Sequence, residues 1–439
     1  MKKRLIVVFL ALLLALASYL LPIEGQAKSV LAVTVFVVFL WLSEIIPLHV
    51  TALVASFLLV IIGKLPEKEV FANFFDPAIV LLLGGFVIAV AMKKHKLDYY
   101  FTHKIVSRFG SKPSLVLLGI IVSTSFVSMW ISNTAAAAIM MPLALVLLAR
   151  NRMKPMKSNF GKASVLAVAY GATIGGLGTI VGSTPNIIAA KYLNNAGEVF
   201  GFFQWFYRGF PFMLLMILGG WLALLFLFRP EKKKLEHITK MRGKLKRDQK
   251  IVLGIFALTI LLWMTESIHG VSSANVAIVP VILLYLTGML GNDDFSKVDW
   301  ETLILVGGGL ALGYGMHKTG LDELFVAPLK GAVDFGPVTF FLILGILGVL
   351  LTSFISNTTA SAIYIPLVVA LASAFGVGTT NSVIVAAIGV SLDFIFPFGT
   401  PPSAIAYSTK YVRMKDMAKA GVVISLIGIV LLALIALIW

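Results

Sequence analysis

Two stretches of this chain run without a charge for longer than one membrane crossing needs, and the same three polar residues interrupt both. Residues 113–149 contain no Asp, Glu, Lys or Arg, and Ser132-Asn133-Thr134 stands inside them. Residues 335–392 are equally uncharged and contain Ser356-Asn357-Thr358. Read out, the phrases are ISNTAAAAIMMP and ISNTTASAIYIP. A hydrocarbon core of about 30 Å takes about 20 apolar residues as a helix, and backbone left unpaired at that depth must be buried in protein or line a cavity. A duplicated polar break in such a setting points to a binding site built from two related halves.

The remainder of the chain agrees with a membrane setting. It is 59% hydrophobic and 13% charged, a balance that excludes an ordinary water-soluble enzyme. Cysteine is absent, which excludes disulfides, thiolate catalysis and cysteine metal sites. No HExxH-type histidine cluster occurs, and no nucleophile–base set accompanies the paired phrases, so no enzymatic activity is expected. The net charge of +16 sits in short loops beside apolar runs: Lys2, Lys3 and Arg4, then Lys93, Lys94 and Lys96, then the block 229–250. That is the pattern of cytoplasmic loops rather than of a nucleic-acid surface. The segment Leu5–Leu21 is expected to be an uncleaved first helix.

Apolar runs place crossings near 5–22, 30–47, 48–63, 75–92, 162–181, 208–228, 250–268, 273–290, 300–316, 380–397 and 418–438. Basic residues flank 113–149 at both ends, so this stretch is expected to enter and leave on the cytoplasmic side as a re-entrant hairpin. The second uncharged stretch is expected to hold its inverted counterpart. The reading is an all-alpha polytopic membrane protein with eleven spans and two re-entrant helical hairpins. Its N-terminus is cytoplasmic and its C-terminus extracytoplasmic.

Further landmarks recur in order. Trp41-Leu42-Ser43-Glu44 matches Trp263-Met264-Thr265-Glu266, and Leu83-Gly84-Gly85 resembles Val306-Gly307-Gly308. Gly182-Ser183-Thr184-Pro185-Asn186 matches Gly399-Thr400-Pro401-Pro402-Ser403. An odd number of spans between matched points inverts the halves. The first repeat covers 1–228, with scaffold helices over 1–94, a hairpin over 111–150, a broken helix over 162–205 and a span over 208–228. A basic linker covers 229–250. The second repeat covers 251–439, with scaffold helices over 251–316, a hairpin over 336–373, a broken helix over 380–409 and a last span over 418–438.

Each half therefore carries two helix interruptions. Gly and Pro end helical hydrogen bonding, one through freedom and the other through its missing N–H. An interrupted helix offers carbonyls at one new end and amides at the other. Carbonyls and hydroxyls suit sodium; amides and helix N-termini suit an anion. Ser and Asn are also ordinary helix caps, a role compatible with ligand binding. No carboxylate flanks either SNT phrase in sequence, which disfavours a divalent cation.

On these phrases the chain resembles the divalent-anion/sodium symporter family, which includes sodium-coupled dicarboxylate, citrate and sulfate transporters. The resemblance implies SNT motifs at hairpin tips, an elevator-type movement, no organic cofactor, and a homodimer in a bacterial or archaeal plasma membrane. It implies a first sodium site at Ser128, Ser132, Asn133 and Gly182, and a second at Thr352, Ile355, Asn357 and Gly399. Asn133, Thr134, Ser183, Asn357, Thr358, Thr400 and Pro401 would contact the substrate carboxylates. The implied activity is sodium-coupled symport of C4-dicarboxylates such as succinate, malate and fumarate; exchange, or citrate or sulfate transport, is the alternative. The usual Gly-Thr-Pro-Pro-Asn form is altered in both halves, losing a proline at Thr184 and the final Asn at Ser403. Asp393 is the notable acid within an expected span. Glu44 and Glu266, at matched span ends, are expected to be structural.

Overall fold

The computed structural model describes residues 2–236, 245–327, 336–397 and 399–439. Residues 237–244, the centre of the expected linker, and residues 328–335 lie outside these residues.

The first part of the chain forms α1 (Lys2–Ser18), α2 (Gly25–Ser43), α3 (Leu48–Ile61), α4 (Glu67–Ala72), α5 (Pro77–Lys94) and α6 (Leu97–Val106). It continues through α7 (Pro113–Ser128), α8 (Asn133–Arg150), α9 (Asn159–Gly176), α10 (Thr184–Asn195) and α11 (Phe202–Leu227). The second part forms α12 (Arg247–Met264), α13 (Glu266–His269), α14 (Ser273–Val276), α15 (Ile278–Leu286), α16 (Asn292–Phe295), α17 (Trp300–Lys318) and α18 (Leu321–Val326). It ends with α19 (Pro337–Thr352), α20 (Asn357–Ala374), α21 (Thr379–Gly389), α22 (Pro401–Ser408) and α23 (Met414–Ile435).

The two uncharged stretches fold alike. Pro113 and Pro337 open α7 and α19, where a missing N–H costs nothing. Both helices have 16 residues. A four-residue turn then leads to α8 and α20, each of 18 residues with an internal proline, Pro142 and Pro366.

Among the described residues, six helical stretches are long and apolar enough to cross a bilayer, and several shorter apolar helices accompany them. The chain is a multi-pass membrane protein. Four of the six coincide with expected crossings, and the other two are the second arms of the uncharged stretches, Asn133–Arg150 and Asn357–Phe375. Length alone therefore does not separate crossings from hairpin arms, and the count of eleven is not fixed by it.

The matched Trp phrases form corners. Trp41 and Trp263 are buried, and each indole N–H reaches over the following turn to a carbonyl, Leu48 O at 3.2 Å and Ser273 O at 2.9 Å. Glu266 accepts from the Ser273 hydroxyl in the second corner. Glu44 closes α2 in a left-handed conformation in the first.

Ion pairs clasp the loops at the two ends of α5. Asp76 at its start pairs with Lys191, and Lys94 at its close reaches Asp294 at 2.6 Å. Lys297, at 2.7 Å, and Lys94 hold the Asp294 carboxyl well below the usual carboxylate range. Apolar residues of α2, α3, α17 and α18 pack as a cluster of their own, which contains Val30, Trp41, Leu59, Leu312 and Leu321.

Candidate functional site

The turn at each SNT phrase is closed by the phrase itself. Ser132 caps α8 by accepting from Ala135 N at 3.3 Å, and Ser356 caps α20 by accepting from Thr359 N at 3.2 Å. The capping serines leave the neighbouring Asn side chains free to fold back toward the preceding helix. Ser128 Oγ lies 2.7 Å from Asn133 Oδ1, and Thr352 Oγ1 lies 2.6 Å from Asn357 Oδ1. Ser128 Oγ also lies 2.6 Å from the Ala172 carbonyl. One hydroxyl proton thus faces two acceptors, which concentrates oxygen lone pairs at this turn.

The second interruption of the first half packs against its turn, and that of the second half lines the same cavity as both turns. In the first half α9 stops at Gly176, a single tight turn covers Ile180–Gly182, and α10 starts at Thr184. A Cβ placed on Gly176 would lie 2.6 Å from Asn133 Oδ1 and 3.1 Å from the Gly182 carbonyl oxygen. Asn133 and Gly182 therefore present oxygens to one small space that exists because residue 176 has no side chain. In the second half α21 stops at Gly389 and α22 starts at Pro401. Ser183 and Thr400 both stand in extended conformation before their helices, at φ −151° and −131°, and neither side chain caps its own helix. Pro185, Pro401 and Pro402 have no N–H to offer, so each of these helix starts presents few free donors, and its positive dipole end is what favours an anion.

The four interruptions meet at one cavity of about 600 Å³. Ser132, Asn133, Thr134, Gly182, Ser183, Asn357, Thr358, Gly399, Thr400 and Pro401 all line it. Thr184 Oγ1 lies 2.5 Å from Thr358 Oγ1, joining the first half's break to the second half's turn. Ser128 and Thr352 are fully buried behind the lining, where they touch the Asn side chains. Ile355 is buried in its turn and does not line the cavity. A smaller cavity of about 360 Å³ near Lys191 and Glu266 contains neither phrase.

The opposite wall is mostly apolar: Leu48, Leu82, Phe86 and Leu305. Lys93, Asp299 and Thr302 complete it. These three, with Thr184, are the lining groups that sequence reasoning missed. Lys93 reads as one of three loop lysines, and only the packing of α5 beside Ser132 and Ala135 reveals it. Thr184 had a local signal, since it replaces a proline in the matched phrase.

The two breaks are braced unequally. Asn186 is fully buried and donates to the Gly176 and Thr179 carbonyls, both at 2.8 Å. Its counterpart Ser403 is too short for this and, among the described residues, its hydroxyl receives Thr400 Oγ1 at 3.1 Å. Asn186→Ala strands two carbonyls and is expected to cost about 2–4 kcal/mol, against about 1 kcal/mol for Ser403→Ala. Thermal unfolding of the purified variants should rank them in that order, and equal losses would refute the unequal bracing.

A sequence model of a family described as citrate transporter matches residues 38–390. The sodium-dependent dicarboxylate transporter SdcS of Staphylococcus saprophyticus is 31% identical over 94% of this chain and 86% of its own. SdcS of Staphylococcus aureus strain NCTC 8325 is 32% identical over 97% and 88%. Among solved structures, the fold resembles the YdaH transporter of Alcanivorax borkumensis, with a TM-score of 0.57 at 14% identity over 85% of this chain and 87% of that one. It also resembles MtrF of Neisseria gonorrhoeae, whose structure is described with a class of antimetabolite efflux pumps, at 0.58 and 12% identity over 91% and 94%.

Proposed function

Since the chain belongs to the divalent-anion/sodium symporter family, we propose that it moves a C4-dicarboxylate across the membrane together with sodium, by alternating access. The observation that carries this reading is the meeting of both SNT turns and both Gly-Thr/Ser-Pro breaks at one cavity. Sodium is the coupling ion, and the SdcS relatives are named sodium-dependent dicarboxylate transporters.

The division of labour follows from the chemistry of each group. Ser128, Ser132, Asn133 and Gly182 hold one sodium with hydroxyl, carboxamide and carbonyl oxygens. Thr352, Ile355, Asn357 and Gly399 hold the other. The substrate carboxylates take Thr134, Ser183, Thr358, Thr400 and the Asn carboxamides, with the Pro401 ring in contact with them. Among the described residues, Lys93 is the one basic side chain of the lining, too little for a dianion. Bound sodium supplies the missing positive charge, so substrate and sodium each favour the other's binding, which is the coupling.

The proposed mechanism is an elevator. Apart from Lys93, Asp299 and Thr302, the polar lining groups belong to the hairpins α7–α8 and α19–α20 and to the broken helices α9–α10 and α21–α22. The facing wall offers mainly apolar side chains from α3, α5 and α17, across which a polar site slides without losing ligands. In this reading the hairpins are re-entrant, the repeats are inverted, and the basic ends face the cytoplasm. The scaffold helices of two copies meet in a homodimer.

The test is uptake of labelled succinate into proteoliposomes. An inward sodium gradient should accelerate uptake over an equal potassium gradient and raise accumulation about tenfold or more, since a tenfold sodium ratio supplies ~1.4 kcal/mol per coupled ion. No acceleration would remove sodium coupling. The citrate description of the matching family favours one second reading, citrate as substrate. Competition by citrate, malate, fumarate and sulfate against succinate decides it, and counterflow without net uptake would indicate exchange.

A further inference from the structure

Asp393 lies between α21 and α22 with no exposed surface. Neither of its carboxylate oxygens has a hydrogen-bond donor among the described residues. The carboxylate presses against Gly399: a Cβ there would lie 2.6 Å from both Asp393 Cγ and Oδ1. The nearby phenol of Tyr170, packed edge-on to Phe394 at 5.2 Å, gives its hydroxyl to the Met417 carbonyl at 3.2 Å. Lys162, on the same helix as Tyr170, is paired with Asp416 at 2.9 Å.

The pseudo-symmetry of the two halves gives this placement its meaning. Asp393 stands to Gly399 as Gly176 stands to Gly182, six residues before it in both cases. Gly176 is the position from which a side chain would project onto Asn133 Oδ1 and the Gly182 carbonyl. At the matched position the first half has no side chain, whereas the second half carries a carboxylate that lies against Gly399.

An unpaired carboxylate in such a place is strongly disfavoured unless a cation or a proton neutralises it. A cation fits the surroundings better, because the carboxylate sits against the break that carries the Gly399 carbonyl, in a half whose turn already presents Asn357 Oδ1. We propose that Asp393 is a direct ligand of the sodium site in the second half. The two sites then differ in kind: the first is built of neutral oxygens and the second holds a fixed negative charge. The second site fills with sodium in the absence of substrate, and the first fills together with the dianion. Only the first sodium then adds net positive charge to the substrate site. This inference rests on the sodium-coupled reading above.

The test is sodium binding to the purified full-length protein without dicarboxylate, by calorimetry and by infrared difference spectroscopy. Wild-type protein should bind sodium and show a sodium-induced shift of a carboxylate stretching band. Asp393→Asn should weaken this binding at least tenfold and remove the shift. Asp393→Gly, which copies the first half's own residue and so suits the local backbone, should do the same. Unchanged affinity in both variants, or a protonated-carboxyl band at Asp393 that sodium does not alter, would overturn the assignment and leave sodium coupling standing. Wild-type protein that binds no sodium with or without succinate would overturn the coupled reading as well.

Discussion

Asn133→Ala and Asn357→Ala should each lower sodium affinity and sodium-driven uptake by about 10- to 100-fold. Ser128 and Thr352 are fixed against the two carboxamide oxygens at 2.7 and 2.6 Å, and both Asn residues line the cavity with Gly182 and Gly399. A hydrogen-bond-strength contact to a charged group contributes ~1.5–3 kcal/mol, and every ~1.4 kcal/mol is tenfold in affinity. The alanine variants keep the serine caps of α8 and α20, so the hairpins should still form. Asn194→Ala makes a fair control. Asn194 braces its own loop through Ala190 O and Phe200 O, both at 2.8 Å, and lies outside the main cavity. It should cost stability and leave sodium affinity in place. Calorimetric titration of the three proteins with sodium, with and without succinate, decides the matter. Equal affinities across the set would exclude both carboxamides as ligands.

The site was legible in the sequence to the extent that it departs from lipid-compatible chemistry. A Ser-Asn-Thr phrase inside an uncharged run is conspicuous because unpaired polar groups are costly there, and its second copy excluded accident. The breaks at Gly182 and Gly399 were visible for the same reason. The corners at Trp41 and Trp263 were visible as matched phrases, but their role was not, because an indole N–H spanning a turn is a contact rather than a pattern. Lys93, Asp299 and Thr302 were hidden because helix packing across the chain brings them to the cavity, and nothing local sets them apart. The absence of a carboxylate near the SNT phrases held in sequence and fails in space, where Asp393 adjoins Gly399 and Asp299 lines the cavity. The crossings were legible as apolar runs, yet hairpin arms of 18 residues share that composition.

Gly176→Val should abolish sodium binding in the first half and reduce sodium-driven uptake by more than about 100-fold, with Gly176→Ala intermediate at about tenfold. Even a methyl group at this position would approach Asn133 Oδ1 to 2.6 Å and Asn133 Nδ2 and the Gly182 carbonyl to 3.1 Å. It would occupy the space where the proposed ion takes its ligands and would press the carboxamide away from Ser128. Valine's branching brings further carbons into the same space, and the position is buried. The control is Gly254→Val in α12, where an added Cβ meets nothing within 4 Å. This control should stay within about 1 kcal/mol of wild type, allowing for the lower helix propensity of a β-branched residue and the gain over glycine. The two halves also make the test internally specific. Gly176→Val should leave the substrate-free sodium binding assigned to Asp393 intact while removing the sodium that binds together with the dianion. Asp393→Asn should produce the reverse. If Gly176→Val removed both classes of binding while folding normally, the cation sites would have to be a single coupled site, and the separate assignment of ligands to the two halves would fall.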